Sequence, residues 1–162
     1  MLIYCYDTSG LTNTSRFYSF KSFPSLWNRI EALIEEGRLI CSQKVHEELK
    51  KQDDLLLKWA NKNGKIFTDL NTEQHILAKQ IVDKYHDIVD KDKETEDADP
   101  YVIALAILKQ RDVAMLGDTC IVVSAETEQK KKNKTKIPIA CYGFHVKHMY
   151  FVEVIDKEGW IF

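Results

Sequence analysis

The sequence predicts an α/β domain with a mostly parallel central sheet covered on both faces, and three observations point there. Short apolar runs, LIYCY (2–6), RLICS (38–42) and CIVVS (120–124), lack polar alternation, as strands buried on both faces do. Helical patterns at 25–36, 43–51, 72–86 and 100–109 separate them, which is the spacing of crossover connections. With 162 residues, 44% of them hydrophobic, the chain suits one core, so residues 1–162 are read as a single domain.

The first run ends in Asp7, followed by Thr8, Ser9 and Gly10. Strand-to-helix turns in a parallel sheet gather at the carboxyl edge, where ligands bind, so Asp7 belongs at that edge. The helix at 25–36 carries Leu26, Trp27, Ile30, Leu33 and Ile34 at the spacing of an apolar face. In the helix after RLICS, Val45 and Leu49 mark the inward stripe; Glu48 lies about 60° from Val45 while Glu47 lies about 160° away. Glu48 therefore borders the buried side, at the same edge as Asp7. The segments KIF (65–67) and the stretch after Phe144 are weaker strand candidates.

The helix at 100–109 is apolar or aromatic from Tyr101 to Leu108 and should be central and buried. Asp99 before Pro100 has the form of a helix cap. Capping does not explain the crowding of Glu96, Asp97 and Asp99 at a buried helix start, because like charges in a dry crevice repel by more than the helix dipole returns. The segment 112–119 suggests an extra turn or short strand before CIVVS, and that run delivers Ser124 and Glu126 to the edge of Asp7. Asp118 is the alternative fourth acid if the run near 112–119 is the true strand.

Oxygen donors without histidine or thiolate select hard cations, Mg²⁺ or Mn²⁺, and such ions activate water against phosphodiesters. Asp7, Glu48, Asp99 and Glu126 are the candidate catalytic and metal residues, with Ser9, Asp97 and Ser124 orienting them from behind. Arg16 and the lysines of the run 129–136, Lys130, Lys131 and Lys132 among them, are candidate nucleic-acid contacts. A net charge of −2 argues against a wholly basic binding surface and leaves only such local patches. The four cysteines form no CxxC pair and are read as buried thiols. No membrane span or signal segment stands out, so the expected location is the cytoplasm.

The ordered acids in YDTSG, VHEEL, ADPYVIALA and VVSAE resemble the PIN domain, a family of metal-dependent nucleases. More closely, the chain resembles the PIN-like family DUF4411 of unassigned function, whose order is matched by RFYSFKSFPSLWNRIEALIEEGRLICSQKVHEEL, DDLLLKWA, KIPIAC and the closing GWIF. The resemblance implies a three-layer α/β/α sandwich around a short parallel sheet, with the family's acids on Asp7, Glu48, Asp99 and Glu126. It also implies a relation to toxin nucleases of bacterial toxin–antitoxin pairs, and so an RNA substrate, with an antitoxin protein and a second copy of the chain as candidate partners. Most PIN domains carry aspartate where this chain has Glu126, a departure confined to the fourth site. A catalytically inactive PIN-like binding or scaffold module is the alternative. A phosphatase of the haloacid dehalogenase type would need a second acid two residues after the first, where this chain has Ser9.

Overall fold

The computed structural model describes residues 1–52, 54–92, 96–127 and 134–162. Its centre is a five-stranded sheet in the order β3-β2-β1-β4-β5, every adjacent pair parallel. The strands are β1 (Leu2–Tyr6), β2 (Leu39–Ser42), β3 (Phe67–Thr68), β4 (Thr119–Val123) and β5 (Lys147–Met149). Around it lie eight α-helices among the described residues: α1 (Thr8–Phe17), α2 (Pro24–Glu35), α3 (Gln43–Leu49), α4 (Asp54–Lys62), α5 (Thr72–Lys84), α6 (Asp99–Val113), α7 (Ile137–Gly143) and α8 (Phe151–Glu158). The molecule is thus a three-layer α/β/α sandwich.

Strand alternation sorts the layers. Cys5 turns to one face, where its thiol donates to the Val102 carbonyl of α6 at 3.5 Å, while neighbouring Tyr4 turns to the other and donates to Glu158 of α8. Helix α6 packs along β1, β2 and β4, with α5 outside it. Its residues 99–106 are all buried, in keeping with its apolar sequence, residues 107–110 are half-buried, and Val113 in the last turn is buried again. Trp27 and Trp59 are core residues packed edge to face on one another.

All four cysteines are buried and free, and burial pushes each thiol up, Cys120 to about 12. No described helix is long and apolar enough to cross a membrane.

Of the two forms expected for the segment 112–119 the extra turn is present and the separate short strand is not: α6 ends at Val113, a 3₁₀ turn covers Ala114–Leu116, and Gly117 in the left-handed region turns the chain into β4, which begins at Thr119. Two local expectations are corrected. Asp118 consequently sits at the amino edge of the sheet, its carboxylate 2.8 Å from the Met1 ammonium, far from the other acids in the topology. Asp99 is not the cap of α6. Ala98 holds that position, Asp99 is the first helical residue and Pro100 the second, and no side chain caps the helix.

The order of strands explains where a site can form. The chain builds outward from β1 to β2 and β3, then returns to lay β4 on the other side of β1. Beyond the carboxyl ends of β1 and β4 the connecting segments diverge, and that crevice is the usual ligand position in an open parallel sheet.

Candidate metal centre

Asp7 ends β1 and caps α1. Its Oδ2 accepts from the Ser9 backbone N–H at 3.2 Å and from the Ser9 hydroxyl at 2.6 Å. The same hydroxyl oxygen accepts from the Ala125 N–H at 3.0 Å, which ties the segment after β4 to the turn after β1. Gly10 permits this closeness: a Cβ there would lie 2.6 Å from the Val123 carbonyl oxygen, so only glycine lets α1 settle against the end of β4.

Glu48, in the last turn of α3, reaches across to accept from the Ala98 N–H at 2.7 Å, just before α6. That bond supplies one of the amides left free at the start of α6, in the absence of a conventional cap. Glu126 accepts from the Ile137 N–H at the start of α7 at 2.7 Å, and its own N–H donates to the Ser124 hydroxyl at 3.3 Å. Asp99 projects from the first turn of α6.

These four acids, with Asp97, Ser9 and Arg16, line one cleft of about 390 Å³ at the β1/β4 crevice. Thr8, Thr12, Asn13, Gln52, Ala125 and Lys134 complete it. Among the described residues, six buried side-chain polar atoms lack a hydrogen-bond partner, and four of the six, Asp7 Oδ1, Thr8 Oγ1, Thr12 Oγ1 and Asp99 Oδ2, belong to residues of this cleft. Buried polar atoms are ordinarily satisfied, so a concentration of unsatisfied ones marks a place built to receive a polar or charged ligand.

Electrostatics agree. Asp7 is 2% exposed and Asp99 8% exposed. Burial raises Asp7, and the charges of Glu126 and Glu48 raise it further against the opposing Ser9 hydrogen bonds, so that it is pushed up to about 7. Burial and then the charges of Asp7, Glu126 and Glu48 hold Asp99 well above the ordinary aspartate range, with Lys134 pulling the other way. Burial and mutual repulsion thus hold both acids toward the neutral form.

A family model described as a domain of unknown function, DUF4411, matches residues 4–162. The chain belongs to the DUF4411 family. No curated protein matches it.

The remaining residues singled out in this DUF4411 chain divide between the cleft and elsewhere. Asp97 is buried and its Oδ2 accepts from the Asp90 N–H at 2.6 Å, bracing the segment before α6. Glu96, despite its place in the acidic run, turns away to Lys44 at 2.9 Å and the Tyr101 hydroxyl. Ser124 is buried beside the cleft, where its hydroxyl shares a hydrogen bond with His148 Nε2 at 2.7 Å. Arg16 is exposed at the cleft wall, in the last turn of α1. Lys130, Lys131 and Lys132 lie outside the described residues.

Sequence reasoning missed the polar face of α1, Thr8, Thr12 and Asn13, and it grouped Lys134 with the other lysines of 129–136 as a nucleic-acid contact without placing it beside the acids. The first signal was present: Thr8 and Thr12 stand four residues apart after Asp7, one helical turn on the same side. Lys134 had no signal of its own, since it is one of several lysines in a charged run.

The donor set tests well for a hard cation, being carboxylate and hydroxyl oxygen with two buried carboxylate oxygens left unpartnered. Among the described residues, however, no three His, Cys, Asp or Glu side chains are gathered to hold an ion directly. Glu48 and Glu126 each spend one oxygen on a backbone amide and keep the other, beside the unpartnered oxygens of Asp7 and Asp99, a set that would suit an ion keeping several of its waters.

Proposed function

We propose that this protein is a PIN-like, Mg²⁺- or Mn²⁺-dependent nuclease acting on RNA. The observation that carries the reading is the pair of buried, unpartnered carboxylate oxygens of Asp7 and Asp99 facing one polar cleft at the switch point of the sheet. Asp7 and Asp99 would hold the cation, with Glu48 and Glu126 contacting its waters. When bound, the cation lowers the pKa of a water and neutralises charge on the phosphodiester.

The chain's own groups prepare that chemistry. Ser9 fixes the rotamer of Asp7 and, through Ala125, its distance from the Glu126 segment. Glu48 holds the start of α6 in place through Ala98, and so aims Asp99. Arg16 at the cleft wall is placed to meet a phosphate. Thr8 and Thr12 offer hydroxyls to a ligand or its waters. Single-stranded or looped RNA is the favoured substrate, because the A-form major groove does not admit side chains.

A second reading, a binding or scaffold module without catalysis, draws on Glu48 and Glu126 being committed to backbone amides. One experiment separates the two. Purified wild type and Asp7→Asn are incubated with a mixed single-stranded RNA pool plus Mg²⁺ or Mn²⁺, with and without chelator. The nuclease reading expects cleavage by wild type, abolished by chelator and by Asp7→Asn. Metal and RNA binding without cleavage would favour the module.

A further inference from the structure

We infer that Lys134 is the resident counter-cation of the acidic cleft, whose ammonium a divalent ion displaces in order to bind at Asp99. The inference rests on the metal-site reading above and concerns what stands against Asp99 when no ion is bound. Lys134 Nζ stands 3.9 Å from Asp99 Oδ2, the carboxylate oxygen that takes no hydrogen bond. At that separation the pair is an ion pair without a hydrogen bond. It is loose enough to exchange, and close enough that an ion at the same oxygen would meet a like charge.

The chain just after Lys134 is anchored, while the lysine side chain itself is long. Thr135 Oγ1 donates to Asp87 at 2.5 Å, and the Ile137 N–H donates to Glu126 at 2.7 Å. Lys134 is thus tied on its carboxyl side at the rim of the cleft it lines. Lys134 also lines the neighbouring crevice, together with His86, Asp87, Asp90 and Lys91. The two carboxylates there, set beside the like charge of Lys91, give the displaced ammonium a second place to lie without unfolding any element. The side chain of Lys134 is 33% exposed against 12% for Asp99, so the lysine is the partner able to move.

Coupling between two cations at one carboxylate is reciprocal: what Lys134 contributes to the metal-free cleft is subtracted from metal affinity. The test is direct Mn²⁺ binding by the full chain, followed by calorimetry and by the Mn²⁺ electron-spin signal at fixed ionic strength. Wild type, Lys134→Met, Lys134→Gln and Lys134→Arg are compared, with Lys157→Met on exposed α8 as the control for net charge. Removing the ammonium is expected to tighten Mn²⁺ binding by about fivefold or more, while Lys134→Arg and Lys157→Met stay near wild type. Equal binding by wild type and both neutral variants would overturn the inference and leave the metal site standing. Weaker binding by them would make Lys134 a support of the site instead of its occupant, and would overturn it too. Absence of Mn²⁺ binding in every variant would remove the metal-site reading itself.

Discussion

The two ends of β1 handle buried carboxylates in opposite ways. At the amino end, Glu158 of α8 accepts from the two terminal guanidinium nitrogens of Arg38 and from the Tyr4 hydroxyl, and Arg38 Nε donates to the Leu2 carbonyl at 2.9 Å. Burial alone would raise Glu158, but the hydrogen bonds from Arg38 and Tyr4 and the charge of Arg38 outweigh it and hold the carboxyl below its ordinary range. At the carboxyl end, Asp7 and Asp99 are at least as buried, carry unpartnered oxygens, and are raised. A carboxylate whose partners the protein supplies is architecture. One that keeps a buried oxygen without a hydrogen bond is where the proposed cation would bind.

The largest effect should come from breaking the satisfied end. Arg38→Met leaves Glu158 and Tyr4 facing each other without the cation, at a site where both side chains of the ion pair are little exposed. It should cost about 2–4 kcal/mol of folding stability by urea denaturation, equally with and without Mg²⁺. A smaller loss, or one that Mg²⁺ repairs, would erase the contrast between the two ends.

Asp7→Asn should do the reverse, raising the stability of the metal-free protein at pH 8 by about 1–2 kcal/mol while abolishing stabilisation by Mg²⁺. The sign follows from linkage. Asp7 is raised to about 7 in the fold from an ordinary value of 3.8, so between those values the unfolded chain has released a proton that the folded chain keeps. The metal-free wild type therefore loses stability as pH rises from about 4 to about 7, and Asp7→Asn should show a shallower fall in melting temperature across that window. Parallel curves would show that the Asp7 charge is already satisfied.

Ser9→Ala sharpens the contrast at smaller scale. It removes one hydroxyl that serves both Asp7 and the Ala125 N–H. The expected cost is about 1 kcal/mol of stability, together with several-fold weaker Mn²⁺ binding, measured on the same preparation. Loss of stability with unchanged affinity would reduce Ser9 to a cap.

The satisfied and the unpartnered end were not equally legible. β1, β2 and β4 announced themselves as apolar runs, and parallel topology carried Asp7, Glu48, Asp99 and Glu126 to one edge without knowledge of any contact. α1 went unread because Thr8, Ser9, Gly10, Asn13 and Ser15 are weak helix formers individually. Tertiary packing of Leu11 and the close approach of Gly10 to β4 override that preference. The cap assigned to Asp99 failed for a related reason: Glu48, fifty residues earlier, supplies the acceptor for the Ala98 amide, and no local pattern reveals so distant a partner. The Arg38–Glu158 pair spans 120 positions and was equally invisible.

The four thiols have a practical consequence. Each is buried and lifted away from the thiolate that alkylating reagents attack, so the native cysteines are poor targets at neutral pH. Gln52 is exposed on the wall of the cleft. A fluorophore or spin label attached through Gln52→Cys would therefore report from the mouth of the site in an otherwise natural chain, without first stripping cysteines from the core.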